Sequence, residues 1–289
     1  MKSNPFLLIV LTLAALCGIL QGCGSNQVVY NHTKPKMRFA TFASLSPDAS
    51  ELGPYLGLRM IGRTGSDTDQ MDQNIPVVVE TKPNYELLAS LKPDLILYDP
   101  SLFSSADIQK IKQLGFPSYA ITGNTVAQYI RCLYKLGSLV HNEMQISDLV
   151  DQIYAQVDKS KGDPFTQPHH VALLMTIPNA NPMIAGTGSF YADLVRVAGG
   201  TPVGPSDDKF TTIDAEHLLS LNPDCIIIAG TPQDSAAFAK DPRYSHLKAI
   251  QDHHFFSIRS SYVLRRGSMV PAAIKALHRA LGQVIRGSN

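Results

Sequence analysis

The chain has no tryptophan and only four cysteines in 289 residues. Cys17 and Cys23 fall close to its start, and Cys132 and Cys225 stand far apart in separate halves. That spacing excludes a disulfide-stapled scaffold, and the lack of any Cys-x-x-Cys or His-Glu-x-x-His gives zinc no footing. Cys132 and Cys225 are expected as small buried hydrophobes. Charge of one sign is missing as well: 25 Lys and Arg against 24 Asp and Glu leave a formal net of +1. A nucleic-acid partner would demand a basic surface, so none is expected. Absent too are a Gly-x-Gly-x-x-Gly opening a helix, a Gly-x-x-x-x-Gly-Lys-Ser/Thr loop and a Gly-x-Ser-x-Gly elbow. The expected protein is not an enzyme.

A leader is present. After Lys2, an almost wholly apolar run from Phe6 to Leu20 has the length of a signal-peptide core and falls short of the ~20 residues of a comfortable membrane span. Leu20-Gln21-Gly22-Cys23 follows, and then a Gly, Ser, Asn and Pro stretch reads as a tether. Either Cys23 is lipid-modified after cleavage or the protein is simply secreted.

One unit is written twice. Asn84 to Tyr98 reads N-Y-E-L-L-A-S-L-K-P-D-L-I-L-Y, and Asp214 to Ile228 reads D-A-E-H-L-L-S-L-N-P-D-C-I-I-I. A constant offset of 130 aligns Glu86 with Glu216, Pro93 with Pro223 and Asp94 with Asp224. Asn84 and Asp214 suit N-caps, the early Glu suits the positive end of the helix dipole, and the prolines end each helix. Leu95 to Leu97 and Cys225 to Ala229 show no polar alternation, which is the pattern of parallel strands covered on both faces. The fold class is α/β, in two similar lobes.

Between the repeats, Ile146, Leu149, Val150, Ile153 and Val157 keep helical spacing. This helix is expected to join the lobes. The remaining elements are expected as strands at 37–43, 58–62, 77–79, 118–121, 171–175 and 254–258. Helices are expected near 47–56, 105–114, 125–140, 189–198, 236–240 and 268–285. Segments 178–188 and 201–212 are expected as loops. Nine histidines include the adjacent pairs His169-His170 and His253-His254. Neighbours in a strand point to opposite faces and cannot chelate one ion, so no metal site is expected.

The lipobox-like Cys23, the doubled Glu-x-x-x-x-Leu-x-Pro-Asp-x-Ile and the phrase Gly186-Thr187-Gly188-Ser189-Phe190 running to Ala198-Gly199-Gly200 resemble the substrate-binding lipoproteins of ABC importers for cobalamin, haem and ferric siderophores. The resemblance covers nearly the whole chain after the leader. It implies the class III periplasmic-binding-protein fold, two Rossmann-like lobes bridged by one long helix with ligand in the cleft. The domains on this reading are a signal peptide at 1–22, a lipid-anchored tether at 23–36, lobes at 37–142 and 163–289, and a connecting helix at 143–162. It further implies a monomer on the outer face of the cytoplasmic membrane, partnered by a permease and its ATPase. Glu86 and Glu216 would dock on permease arginines; the plainer reading makes them early-helix carboxylates, and both can hold.

The same resemblance suggests ligand contacts. Phe210 stands six residues before Glu216, and Glu80 six before Glu86; cobalamin-binding members carry aromatic rings at both places. Phe210 fits and Glu80 does not, which counts against cobalamin. Tyr98 could stack on a ligand or coordinate ferric iron, or it is a strand-end tyrosine. Arg266, with Arg265 and Tyr262 beside it, and Arg63 more distantly, could meet a carboxylate or catecholate, since guanidinium forks suit such groups. The expected cargo is a ferric siderophore or haem, ahead of cobalamin. A lipoprotein acting as scaffold or sensor without a small ligand is the alternative of another kind.

Overall fold

The computed structural model describes residues 39–66, 74–162 and 169–287. The expected signal peptide at 1–22, the tether at 23–36 and Cys23 lie outside the described residues. The first half runs β1 (Thr41–Ser44), α1 (Pro47–Glu51), α2 (Gly53–Leu56), β2 (Arg59–Thr64), β3 (Val77–Val79), α3 (Tyr85–Leu91), β4 (Leu95–Tyr98), α4 (Ser105–Gln113), β5 (Ser118–Ala120) and α5 (Val126–Val140). Its five strands are all parallel, in the order β3-β2-β1-β4-β5. The expected single helix at 47–56 is broken: Leu52 ends α1, and Gly53-Pro54 restarts the chain as α2.

Helix α6 (Glu143–Gly162) follows, 20 residues long, or ~30 Å at 1.5 Å per residue. The second half runs β6 (His170–Met175), β7 (Met183–Ala185), α7 (Phe190–Val197), β8 (Thr201–Pro202), β9 (Phe210–Thr212), α8 (Ala215–Leu221), β10 (Cys225–Ala229), α9 (Pro232–Lys240), α10 (Lys248–Gln251), β11 (Phe255–Ile258), α11 (Ser260–Val263) and α12 (Val270–Gly287). The second sheet has the order β11-β10-β6-β7-β9, with β8 beside β6. It is mixed, because β7 runs antiparallel to both β6 and β9. The segments expected as loops thus contain β7, β8 and β9, each too short for an alternating pattern to register in sequence.

The doubled unit folds the same way twice. Asn84 and Asp214 cap their helices through the N–H groups of Leu87 and His217 at 3.0 and 2.8 Å. Lys92 and Asn222 close the helices in the left-handed region, at φ 49° and 42°. The likeness reaches beyond the written motif. Asp94 accepts from the N–H of Ala40, 54 residues earlier, and Asp224 accepts from the N–H of His170, also 54 earlier. In each half the Pro-Asp carboxylate therefore pins the beginning of the first strand beside the repeat's own strand.

The core joins the halves. On one stripe α6 buries Ile146, Leu149, Val150, Ile153 and Val157, and it packs against α5 of the first half and α12 of the second. One apolar cluster runs from Phe42 and Leu97 through this stripe to Val171 and Leu173, while the far face of each sheet has a cluster of its own. Each fully buried Leu or Ile contributes roughly 1.5–3 kcal/mol by its removal from water. The Gly199-Gly200 stop has a steric cause as well: Gly199 sits at φ 100°, and a Cβ on Gly200 would lie 2.9 Å from Val171 Cγ2. Cys132 and Cys225 are both unpaired and buried. No described helix is long and apolar enough to cross a membrane.

Candidate functional site

In open α/β sheets, ligands meet the carboxyl ends of the strands where the strand order reverses. In the first sheet that point lies between β1 and β4. The loop after β1 supplies a buried serine network: Ser44 Oγ donates to Ser46 O at 2.8 Å, and Ser50 Oγ donates to Ser44 Oγ at 2.8 Å. Ser46 Oγ also accepts from the N–H of Asp99, directly after β4, at 3.1 Å. The two loops are thereby tied together, and they bring Asp48 and Asp99 side by side.

These carboxyls meet the second half. Arg266 Nη2 donates to Asp99 Oδ2 at 2.5 Å and to Ser101 Oγ at 3.1 Å. Beside it Arg265 Nη1 donates to Glu51 Oε1 at 2.8 Å. Tyr129 Oη reaches Gly267 O at 3.0 Å, and Asp193 accepts from the N–H of Val126 at 2.7 Å. Burial pushes the Asp48 carboxyl well above the usual carboxylate range, and the Asp99 charge with its hydrogen bond adds to the effect. Burial likewise holds the Tyr191 phenol up at about 12.

In the second sheet the order reverses about β6 and β10, and a cavity of about 830 Å³ opens there. The residues lining it all belong to the second half, from Thr176 to Arg265. Hydroxyls and amides of Thr176, Asn179, Thr231, Ser260 and Ser261 face it, with Arg243, Arg259 and Arg265. Two of these arginines are committed. Arg243 forks onto Asp241 at 2.7 Å over the Tyr244 ring, and Arg265 holds Glu51. Arg259, exposed at the end of β11, makes no side-chain ion pair among the described residues. The carboxylates of Asp234, which accepts from the N–H and hydroxyl of Thr231, and of Asp241, held by Arg243, line the cavity too. Arg259 is thus the lining cation without a side-chain ion pair among the described residues, and the contact on offer to an anionic group. No group of three His, Cys, Asp or Glu among the described residues is placed to hold a metal ion.

The structure brings few of the expected contacts together. Arg265 lines the cavity; Arg266 does not, because it is 7% exposed and closes the ion pair with Asp99. Tyr98 is 4% exposed, with its ring edge-on to Phe103 in the first-half core. The alternation of β4 explains this, since Ile96 and Tyr98 share the face under α3 and α4. Arg63 is buried and donates to the carbonyls of Ile75 and Thr64. Tyr262 lines a different groove, beside Phe255 and Phe256. Phe210 is half-buried against Tyr191, ring centroids 5.0 Å apart, and Glu80 is exposed after β3. Glu86 and Glu216 are both exposed in the first turns of their helices. Arg259 and Arg243 escaped the sequence reading. The position of Arg259 directly after a strand was the only available signal.

Comparison with known proteins agrees with this architecture. The family model described as periplasmic binding protein matches residues 45–262. The periplasmic vitamin B12 binding protein of Vibrio cholerae is similar in shape at TM-score 0.73 and 18% identity, over 86% of this chain and 98% of that one. IsdE of S. aureus, solved with heme, gives 0.71 at 21% identity over 84% and 98%. A possible iron-binding periplasmic solute-binding protein of Staphylococcus epidermidis gives 0.70 at 20% over 84% and 99%. At such identities the likeness is one of fold. No curated protein matches the chain by sequence.

Proposed function

The chain belongs to the periplasmic binding protein family, and on that footing we propose that it is the substrate-binding component of an ABC importer for an anionic ferric siderophore. The observation that carries the ligand class is the cavity of about 830 Å³ at the carboxyl ends of β6, β10 and β11, with Arg259 uncommitted at its edge. Guanidinium groups suit catecholate and carboxylate oxygens, and they gain strength where water is partly excluded. Haem is the weaker candidate, because Tyr98, the phenol suggested for its iron, is sealed in the core. Cobalamin is disfavoured by Glu80, a carboxylate where a flat apolar contact is expected.

In this reading the protein works outside the cytoplasm as a monomer tethered through a lipid on Cys23, and it binds its cargo without changing it. Glu86 and Glu216 dock each half on permease arginines, which would orient the encounter more than tighten it. The test is a titration of the purified chain with ferric catecholate, ferric hydroxamate, haem and cobalamin. Ligand absorbance and tyrosine fluorescence are the readouts, since tryptophan is absent. Tight binding of an anionic ferric chelate supports the reading. Binding of cobalamin alone, or of none of the four, contradicts it.

A further inference from the structure

A second concavity, of about 670 Å³, has no part in the chelate site apart from Arg259 at its end. Its floor is β11, the edge strand of the second sheet. Ile226 N–H donates to His254 O and Gly230 N–H to Ile258 O. By the alternation of a parallel ladder, His254, Phe256 and Ile258 turn their backbone groups toward β10. Those of Phe255 and Ser257 turn outward, and no hydrogen bond of theirs exists among the described residues. Natural edges are usually blunted by a charge, a proline or a cover. Phe255–Ile258 has none of these within it.

Two helices wall the groove. Helix α9 stands on one side with Ala236, and α12 on the other with Ala272, Ala276 and Ala280 at four-residue intervals. The rim is cationic. Lys275 and Arg279 lie four apart on α12, both exposed, and form no ion pair among the described residues. Like charges at that spacing repel, and an anion between them would relieve the repulsion. No Asp or Glu lines the groove.

We propose that this groove takes an acidic polypeptide segment of a partner protein, which adds to β11 as an extended strand with its carboxylates on Lys275 and Arg279. The chain's own residues 24–38 do not suit the place, for they contain no Asp or Glu. A second copy of the chain would bring two sets of these cations together.

The experiment is fluorescence anisotropy of the purified chain with a capped peptide of alternating glutamate and valine. Lysine–valine and backbone N-methylated versions of the peptide, and oleate, are the comparisons. The account expects the glutamate peptide to bind and the lysine peptide not to. Lys275→Glu with Arg279→Glu should weaken binding ~10-fold or more while chelate binding is unchanged. Ser257→Pro removes one outward N–H, and N-methylation removes the peptide's own donors; each should abolish binding. The proposal is overturned if the two peptides bind equally, if neither binds, or if the N-methylated peptide binds like its parent. It is also overturned if oleate binds while the glutamate peptide does not, or if the chain dimerises through β11.

Discussion

Arg266 of the second half and Asp99 of the first are joined by a hydrogen-bonded ion pair of 2.5 Å in which both side chains are almost wholly buried, at 8% and 3% exposure. The pair is the polar counterpart of the apolar core that α6 shares with both sheets. Removing one member strands the other without water. Arg266→Leu should therefore destabilise the chain by ~3–5 kcal/mol, and adding Asp99→Leu should return much of that loss. Urea unfolding of the single and double variants checks it, and additive losses would contradict the pairing.

Two carboxyls should show opposite pH dependence. Burial raises the Asp48 carboxyl, so its contribution is full below the usual carboxylate range and is lost as pH rises through the raised folded value. Asp48→Asn keeps the shape and stays neutral, and it should abolish that loss in a pH series of urea melts. Asp224 is the reverse case. Burial pushes it up, but the His170 N–H and Lys248 hold it below its ordinary value, so its contribution is lost as pH falls. Asp224→Asn should cost ~1–3 kcal/mol at neutral pH and nothing in strong acid.

Lys92 ends α3 in a conformation that a side chain resists, at φ 49°. Lys92→Gly should raise stability by ~0.5–1 kcal/mol, read as a higher urea midpoint. The same change in the middle of α3, at Ala89→Gly, should lower it.

Arg259 is the cavity's uncommitted cation. Arg259→Ala should weaken binding of an anionic ferric chelate ~10-fold and leave the melting temperature in place. Equal affinity in the variant would move the anion contact elsewhere.

The sequence showed the repeat and the helices around it, because each carries its own stop signals: Asn84 and Asp214 at one end, Pro93 and Pro223 at the other. It did not show β7 and β8. Strands of three and two residues are too short for a period, and they exist through pairing with β6. The site was less legible still. Arg266 was suggested by resemblance and Tyr98 by its place after a strand, and neither signal could show their surroundings, which are set by partners distant in sequence: Asp99 for Arg266, and the core beneath α3 and α4 for Tyr98.

The most direct test of the account is uptake of radioiron, presented as a ferric siderophore, by cells that lack this protein. The account predicts that the wild-type chain restores uptake and that Glu86→Ala with Glu216→Ala does not, although the purified variant binds the chelate with unchanged affinity. Uptake that proceeds equally with and without the protein, for every chelate it binds, would contradict the account.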